Sequence, residues 1–369
     1  MKKIAILALA TKDNGGTFQY SLKMIESLIH NDNYFFTIYT DINNSDYDNF
    51  GIDVKKNDYS KKSWPTYLIN YLFKSDFKDL FKNESLVIAP IYSPALLSTK
   101  TPFVFTLHDL QEHYYPHYFT WIQRIWRNFI NTSLVKKASK VICESNCVKN
   151  DIINLFNCGA SKIEVLPSPP QNMNFNITDV NINNTLENYK LIKDTYIIYP
   201  AQFWKHKNHI KLINAFKIIN DNFPHIKLVL TGKKRFDFIN ISKTINSLHL
   251  SDKVVFTEFL PDIELRILMK NALFLIMPTL FESISIPIYE AFQVGIPVCS
   301  SNVLSLPDQV GDAGIIFDPN SVKSIADSAI LLIEDKSLRI SLVNKGYDKI
   351  NTLTDKFYSD SLEKIVNES

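Results

Sequence analysis

The amino-acid sequence predicts an α/β protein made of two doubly wound parallel sheets, and three observations lead to this prediction. Short apolar runs typical of buried strands alternate with amphipathic helical segments, beginning with residues 3–9 and 18–29. The alternation stops in a stretch rich in Asn, Thr and Asp at residues 171–190 and resumes at residues 196–200. A length of 369 residues also suits two domains.

The same patterns set the domain limits. Residues 1–170 are predicted to form an N-terminal domain, residues 171–190 a linker, residues 191–350 a C-terminal domain, and residues 351–369 a final helix. The strands predicted after the first are residues 34–40, 85–89, 103–107, 140–144 and 162–166, then residues 196–200, 226–231, 254–257 and 273–277. In open parallel sheets, ligands bind at the carboxyl ends of the strands, so functional residues are expected there.

The composition is that of an ordinary soluble globular protein, with 46% hydrophobic and 21% charged residues. A formal net charge of +2 gives no indication of a nucleic-acid partner. The four cysteines lack the spacing of a zinc site, and buried free thiols are expected; they are Cys143, Cys147, Cys158 and Cys299.

The N-terminal stretch imitates a secretory signal peptide, because a basic start precedes an apolar run and an Ala8-x-Ala10 pair. The apolar run is at the short limit, and Asn14-Gly15-Gly16 before an amphipathic helix suits a strand, turn and helix better. No uninterrupted apolar run reaches the roughly 18 residues of a membrane span. The expected location is therefore cytoplasmic, with peripheral contact at the inner face of the cell membrane as a further hypothesis.

Residues 278–292 carry the strongest chemical signal, two carboxylates eight positions apart around a predicted helix start. Pro287 suits the first helical turn, which places Glu282 on the loop and Glu290 on the helix. The backbone N–H groups of residues 283–285 and the helix dipole would together bind a phosphate. The flanking carboxylates suit hydroxyl groups, and a nucleotide-sugar presents sugar, diphosphate and ribose in that order.

The segment Glu282-x7-Glu290, followed by Gly295-Ile296-Pro297-Val298, resembles the signature of retaining glycosyltransferase family 4, the glycosyl transferases group 1. The resemblance implies the GT-B fold, in which two Rossmann-like domains face each other across a cleft and the final helix packs on the N-terminal domain. It assigns Glu282 to hydroxyls of the transferred sugar and Glu290 to the ribose. The chain departs from the family at Ser283-Ile284-Ser285, where Gly-Phe-Gly is common, so the backbone is expected to approach the diphosphate less freely.

Two loops of the N-terminal domain also resemble the family. Gly15 and Gly16 look like its N-terminal glycine loop, which faces the donor phosphates and the acceptor. The segment Thr106-Leu107-His108-Asp109-Leu110 is similar to its histidine-bearing loop, which implies that His108 contacts the donor sugar near the reacting centre. A lone histidine is usually structural, but a position at a strand end beside Asp109 favours a functional role.

The loop at residues 201–209 resembles the phosphate-clamping loop of the family, which typically carries an arginine and then a lysine. Lys207 matches the lysine, whereas Gln202 stands where arginine is more usual. Lys207, aided by Lys205, is therefore the expected cation on the leaving diphosphate, and two solvated lysines are the alternative.

A basic and aromatic stretch follows the histidine loop. Residues 121–150 hold six basic residues and a single acid, and the first half interleaves tryptophan and isoleucine with the basic residues. Such a helix could lie on an anionic membrane surface or hold a lipid-diphosphate acceptor, with Asp109, Arg124 and Arg127 on that side. A solvated helix with its aromatic residues in the core is the preferred interpretation.

The expected reaction transfers a hexosyl group from a GDP- or UDP-sugar to a hydroxyl of a glycan or lipid-linked acceptor, with retention at the anomeric carbon. No cofactor or metal ion is expected, because the sequence shows no Asp-x-Asp diphosphate-metal signature. By family habit the product is a bacterial surface polysaccharide or lipopolysaccharide.

Two other functions stay open. A dinucleotide-dependent oxidoreductase would share the Rossmann-like N-terminal half, but no Gly-x-Gly-x-x-Gly follows the first strand. A catalytically silent GT-B protein that only binds a partner or a glycan is kept open by Gln202, Ser283 and Ser285. Donor hydrolysis in the absence of acceptor would separate these functions.

Overall fold

The computed structural model of the chain describes residues 1–57, 81–97, 99–170, 178–233, 237–258 and 260–369. The chain divides into two compact units: Met1–Gln171 together with Leu353–Ser369, and Asn172–Thr352. Each unit contains one open sheet of parallel strands. The prediction of two doubly wound, Rossmann-like sheets is confirmed.

The first unit is built on seven strands: β1 Lys2–Leu7, β2 Tyr34–Asp41, β3 Asp53–Asn57, β4 Leu86–Ala89, β5 Phe103–Thr106, β6 Lys140–Cys143 and β7 Ile163–Val165. They pair in the order β3-β2-β1-β4-β5-β6-β7. Its described helices are α1 Gly16–Ile29, α2 Gln111–Tyr114, α3 Trp121–Lys137, α4 Asn146–Phe156 and the C-terminal helix Asp355–Asn367.

The second unit has six strands: β8 Tyr196–Pro200, β9 Lys227–Thr231, β10 Val254–Glu258, β11 Phe274–Met277, β12 Val298–Ser301 and β13 Gly314–Phe317. They pair in the order β10-β9-β8-β11-β12-β13. Its described helices are α5 Asp179–Asn188, α6 His209–Asn222, α7 Phe238–Ser247, α8 Asp262–Lys270, α9 Ile286–Val294, α10 Leu306–Val310, α11 Val322–Glu334 and α12 Lys336–Ile350.

Both faces of the first sheet are buried, which explains why its central strands are apolar throughout. Successive residues of β1 alternate between two cores: Ile4 and Ile6 belong to one, and Ala5 and Leu7 belong to the other. The C-terminal helix covers the first of these cores, where its Tyr358 is fully buried. The last helix of the chain is therefore part of the first unit.

The strand order reverses beside the first strand of each sheet. In the first unit β1 lies between β2 and β4, and in the second unit β8 lies between β9 and β11. At such a switch point the loops after the two neighbouring strands diverge and leave a crevice for a ligand. The loops after β8 and β11 are the ones that carry the predicted lysine and glutamate.

Helix α5 and the strands β3 and β13 are among the elements that differ from the prediction. Helix α5 lies inside the stretch predicted as linker, where Thr178 and Asn181 form a capping box with reciprocal contacts of 3.2 Å. Its Asn-rich composition hides this local signal, and the linker residues 171–177 lie outside the described residues. Strand β3 was not predicted because it is largely exposed and, within the described residues, is an edge strand that pairs only with β2.

The apolar N-terminal stretch forms β1, a central strand of the first sheet. The four cysteines are free thiols, as predicted, but the prediction that they are buried holds for Cys143 and Cys299 and is wrong for Cys147 and Cys158, which are partly exposed. Among the described helices, none is long and apolar enough to cross a membrane.

Candidate active site

The loops after β8 and β11 bring together the lysine and the first glutamate of the predicted site. These strands are parallel neighbours, so their carboxyl ends lie side by side. Lys207 Nζ forms an ion pair with Glu282 Oε2. The two side chains stay 17% and 19% exposed, respectively, so this edge offers a ligand both an ammonium and a carboxylate.

Side-chain hydrogen bonds hold these loops in place. The Tyr199 hydroxyl donates to the Lys207 carbonyl at 2.9 Å. Asn208 Nδ2 donates to the carbonyls of Pro278 and Pro319, both at 2.9 Å, and thereby joins the loops after β8, β11 and β13. Asn208 adopts a φ of 62°, a conformation that Asn tolerates better than most residues. The sequence did not indicate Asn208, because its partners stand 70 and 111 positions away.

Helix α9 begins at Ile286 with Pro287 in its first turn, as predicted. Gln309 of α10 clamps this start, because its Oε1 accepts from the Ser285 N–H at 2.9 Å and its Nε2 donates to the Ser285 carbonyl at 2.7 Å. The expectation of three free N–H groups is therefore wrong for Ser285, whose N–H is used by an amide from a separate segment.

The other donors at this helix start stay available. The N–H groups of Ser283 and Ile284 have no acceptor in the part of the chain that the structure describes. Within the same ranges, the buried Ser285 hydroxyl has no hydrogen-bond partner. Two N–H groups, a hydroxyl and the positive end of the α9 dipole suit an anion.

The serines that replace the family's glycines do not strain this loop. Ser285 has a φ of −119°, which is extended backbone, and neither Ser283 nor Ile284 has a positive φ. Glycine is needed where φ is positive. The backbone conformation seen here is therefore equally accessible to serine.

Glu290 is a half-buried carboxyl on α9. Burial raises the pKa of Glu290 to about 7, the charge of Asp262 adds to the rise, and Arg266 opposes it. Arg266 also donates from Nη1 to Gln293 Oε1 at 3.0 Å. Glu290 therefore changes its charge near neutral pH.

Gln202 and Lys205 of the predicted phosphate-clamping loop differ in their surroundings. Gln202 Oε1 accepts a hydrogen bond from Trp204 Nε1 at 3.1 Å. Lys205 is exposed and forms no ion pair within the described ranges. The loop also passes against Gly232, where an added Cβ atom would lie 2.6 Å from the Ala201 oxygen. This close packing, together with a φ of 140°, requires glycine at Gly232.

His108 lies at the carboxyl edge of the first sheet, and both of its ring nitrogens have partners. Nδ1 is 2.8 Å from Glu144 Oε2, and Nε2 is 3.0 Å from the Pro90 carbonyl. Burial by itself lowers the pKa of His108, but Glu144, with Asp109 and the Pro90 carbonyl, outweighs burial and the pKa is raised. The sequence indicated His108 but not Glu144, which stands 36 positions further along the chain.

The predicted glycine loop follows β1 at the same edge. Gly15 has a φ of 59° and a ψ of −121°, and it caps the start of α1. Gly16 is the first residue of that helix. The positive φ explains a glycine at Gly15, because other residues are strained there.

Arg127 is engaged within the first unit. Its Nε lies 2.9 Å from Glu112 Oε2, and its Nη1 donates to the Tyr92 hydroxyl at 3.2 Å. Asp109 Oδ1 lies 3.9 Å from its Nη2. Because carboxylates already balance its charge, Arg127 is better suited to shaping this surface than to binding an anionic acceptor. Arg124 is exposed.

The structure corrects the preferred interpretation of α3. An apolar stripe on this helix, hereafter the α3 stripe, consists of Trp121, Ile125 and Phe129, which are 69%, 63% and 51% exposed. The four-residue spacing places them on one face. Trp126, by contrast, packs against the core. The core-facing side of α3 is supplied mainly by its second half, which leaves the α3 stripe exposed.

The chain does contain one Asp-x-Asp sequence, Asp46-Tyr47-Asp48, outside the loops that resemble the family. Asp46 Oδ1 lies 3.3 Å from Lys12 Nζ, and Asp48 Oδ2 lies 2.7 Å from Lys56 Nζ. Tyr47 is fully buried between them. Both carboxylates are therefore balanced by lysines of the same unit.

Two family models match the chain, one in each unit. The model for glycosyl transferases group 1 matches residues 184–349, and the model for glycosyltransferase family 4 matches residues 55–169.

Three curated relatives match between 62% and 72% of the chain. Identity is 28% with the O-antigen chain mannosyltransferase RfbU of Salmonella typhimurium, over 72% of this chain and 69% of that protein. It is 26% with the O-antigen chain mannosyltransferase B of Escherichia coli, over 66% and 64%. It is 27% with the capsular polysaccharide biosynthesis glycosyltransferase CapM of Staphylococcus aureus, over 62% of each. The chain thus spans 62% to 69% of these relatives' lengths.

Solved structures match the whole chain. HepE from Anabaena, in complex with UDP and glucose, gives a TM-score of 0.81 at 17% identity and covers 100% of both chains. WaaG, a glycosyltransferase involved in lipopolysaccharide biosynthesis, gives 0.76 at 13% identity and covers 98% of this chain and 99% of its own. These likenesses show the fold. That fold is GT-B, and the two family models show that the chain belongs to glycosyltransferase family 4.

Proposed function

We propose that the protein transfers a hexosyl group from a nucleoside-diphosphate sugar to a hydroxyl of a glycan or lipid-linked acceptor, with retention at the anomeric carbon. The observation that carries the proposal is the pairing of Lys207 with Glu282 beside the start of α9. This edge offers a cation and N–H donors to a diphosphate, and carboxylates to the hydroxyl groups on either side of it.

Donor binding separates Lys207 from Glu282. The ammonium turns to the leaving diphosphate, and the N–H groups of Ser283 and Ile284 share its charge. Glu282 accepts from hydroxyls of the sugar, and Glu290, further along α9, accepts from the ribose. Because these donors are fixed before the reaction, they stabilise the negative charge that grows on the diphosphate as the glycosidic bond breaks.

The relatives support a hexose donor and a surface polysaccharide product. Two of them are named as O-antigen chain mannosyltransferases and one as a capsular polysaccharide glycosyltransferase. GDP-mannose and UDP-glucose are therefore the first donors to test by thermal shift. We expect one of them to raise the melting temperature of the wild type but not of a Lys207→Ala/Glu290→Ala variant. A wild type that responds to neither donor, nor to GDP or UDP, would count against the proposal.

We propose that transfer needs no metal ion, because Lys207 and the start of α9 supply positive charge to the leaving diphosphate. Turnover is therefore expected to stay within about twofold after dialysis against a chelator. The assay compares the dialysed protein with the same protein after addition of Mg²⁺ or Mn²⁺. Activity that disappears in chelator and returns with either ion would contradict this proposal.

Glu290 gives nucleotide binding a pH dependence. Its pKa of about 7 means that the carboxyl becomes protonated below neutral pH and then accepts ribose hydroxyls poorly. Affinity for GDP or UDP is expected to be about tenfold weaker near pH 6 than near pH 8. Calorimetric titration of the wild type and Glu290→Gln checks this.

The terminal phosphate of the nucleotide also titrates near pH 6. The effect of Glu290 is therefore the difference between the pH dependence of nucleotide affinity in the wild type and in Glu290→Gln. Glu290→Gln should keep only the shallower pH dependence that comes from the nucleotide's own phosphate. An identical pH dependence in both proteins would remove Glu290 from the nucleotide site.

We also propose that the α3 stripe makes peripheral contact with an anionic membrane surface. Its aromatic and aliphatic side chains are exposed, and helix α3 contains no acidic residue. Arg124 and Lys136 on the same helix are exposed and basic. A basic helix with an exposed aromatic face lies at the level of lipid head groups.

The membrane proposal predicts that Trp121→Ser/Ile125→Ser binds vesicles rich in anionic lipid at least about fivefold less than the wild type. Ile239→Ser is the matched control, because Ile239 of α7 is 66% exposed in the second unit. Co-sedimentation with anionic and with zwitterionic vesicles measures the effect. Equal binding by the double variant and the wild type would reject the proposal.

A further inference from the structure

His108 directs two nitrogens at two oxygens that accept hydrogen bonds. Nδ1 is 2.8 Å from a carboxylate oxygen of Glu144, and Nε2 is 3.0 Å from the carbonyl of Pro90. A neutral imidazole carries one N–H, whereas an imidazolium carries two. Neither an ionised carboxylate nor a carbonyl can donate, so the arrangement fits an imidazolium.

The charged groups around the His108 ring all favour the imidazolium. Glu144 and Asp109 are the carboxylates that act on His108, and the side chain of Glu144 is only 7% exposed. The Tyr20 ring of α1 is nearly perpendicular to the His108 ring, with the two ring centroids 4.6 Å apart. Tyr358 of the C-terminal helix lies in the same core as Tyr20. Burial raises the pKa of both tyrosines, so they are neutral and add no charge.

Strand order explains why these residues meet. Pro90 follows β4, His108 lies two residues after β5, and Glu144 follows β6, and these three strands are consecutive in the sheet. Parallel neighbours end at the same edge. The Glu144 carboxylate therefore approaches the His108 ring from the end of a sheet strand, which holds its position more rigidly than a surface loop would.

We infer that Glu144 is a positioning residue that fixes the His108 ring and holds it as an imidazolium, with the Nε2–H available to a hydroxyl of the substrate in place of the Pro90 carbonyl. The inference rests on the proposed function, because it assigns His108 to a hydroxyl of a substrate of that reaction. His108 then acts as a cation and a hydrogen-bond donor. It does not remove a proton from the acceptor hydroxyl.

The inference fixes the direction of a pH effect. Glu144→Gln removes the charge that opposes burial, so the pKa of His108 should fall below its ordinary value of about 6.5. The wild type loses the imidazolium only as pH rises past the raised pKa, and the variant loses it at a lower pH. Above the pKa of the variant, a rate proportional to the imidazolium falls about tenfold for each pH unit.

The test follows the His108 side chain by ¹⁵N NMR in the wild type, Glu144→Gln and Glu144→Asp, with His108→Gln to assign its signals. Glu84→Gln is the matched control, because Glu84 is a carboxylate of the same unit that is 5% exposed but pairs with Tyr39 and Lys55. We expect His108 to titrate above its ordinary value of about 6.5 in the wild type and the control. It should titrate at least about one unit lower in Glu144→Gln and return part of the way in Glu144→Asp.

A wild-type His108 that titrates at or below its ordinary value of about 6.5, or that titrates identically in the wild type and Glu144→Gln, would overturn the inference. If Glu144→Gln fails to fold, the shift between the wild type and Glu144→Asp decides instead. The titration contains no substrate, so its outcome is independent of the proposed function. In the pH profile of sugar transfer, the fall in rate at high pH should begin at a lower pH in Glu144→Gln than in the wild type, with Glu144→Asp between them. If the NMR shift is found but the wild type transfers no sugar, the proposed function is refuted and the inference about Glu144 is not.

Discussion

Replacement of Lys207 by alanine is expected to lower sugar transfer on the order of 10²–10³-fold, because one charge-assisted contact to a leaving group contributes about 2–4 kcal/mol to transition-state stabilisation. Gln202, at the position where the family more usually has arginine, carries no charge and accepts a hydrogen bond from Trp204. The N–H groups at the start of α9 carry partial charges that cannot replace an ammonium. Steady-state kinetics measures the loss, and an unchanged melting temperature shows that the fold persists.

Lys193→Ala is the matched control for this variant, because Lys193 lies outside this loop in the same unit, is exposed and forms no ion pair in the described part of the chain. Its turnover should stay within about twofold of the wild type. Adding Gln202→Arg to Lys207→Ala should restore part of the activity if both positions face one phosphate. The wild type, Gln202→Arg, Lys207→Ala and the double variant form the mutant cycle that measures this. Near-normal turnover of Lys207→Ala would show that this lysine does not hold the diphosphate.

Glu282→Gln is expected to lower turnover about 10²-fold, because hydroxyls of the transferred sugar lose their charged acceptor. Affinity for the free nucleoside diphosphate should rise at the same time. In the unliganded protein Glu282 forms an ion pair with Lys207, and its neutralisation releases the ammonium for the phosphate. We expect the gain to be roughly two- to tenfold, measured by calorimetric titration alongside the kinetics.

Glu334→Gln serves as its control, since Glu334 is an exposed carboxyl at the end of α11 and should change neither quantity. Glu290→Gln supplies the contrast, because it should weaken nucleotide binding. Equal losses of nucleotide affinity in Glu282→Gln and Glu290→Gln would reject the division of roles between the two glutamates.

The start of α9 could be predicted from the sequence because its signals are local. Pro287 suits a first turn, and Gly295 ends the helix with a φ of 77°. Those two residues placed Glu282 on the loop and Glu290 on the helix, as the structure has them. The buried strands could be predicted equally well, because a strand covered on both faces is largely apolar.

The polar contacts that complete the site could not be predicted in this way. Gln309 reaches Ser285 across 24 positions, and Glu144 reaches His108 across 36. Hydrophobic periodicity tells which face of an element is buried, but it does not tell which polar side chain arrives from another loop. The exposed α3 stripe was misjudged for a related reason, because an aromatic residue on a helix has the same sequence signal in a core as on a docking surface.

Release of nucleoside diphosphate from a nucleotide-sugar measures most directly whether the Lys207–Glu282 site breaks a glycosidic bond. The wild type and Lys207→Ala are incubated with GDP-mannose and with UDP-glucose, each with and without a bacterial lipid-linked glycan fraction, and the freed nucleotide is quantified. We expect the wild type to release nucleotide from one of these donors, faster with acceptor, and Lys207→Ala to release almost none. Donor binding without release under any condition would contradict the account and indicate a silent binding protein, and release that is unchanged in Lys207→Ala would place the chemistry elsewhere.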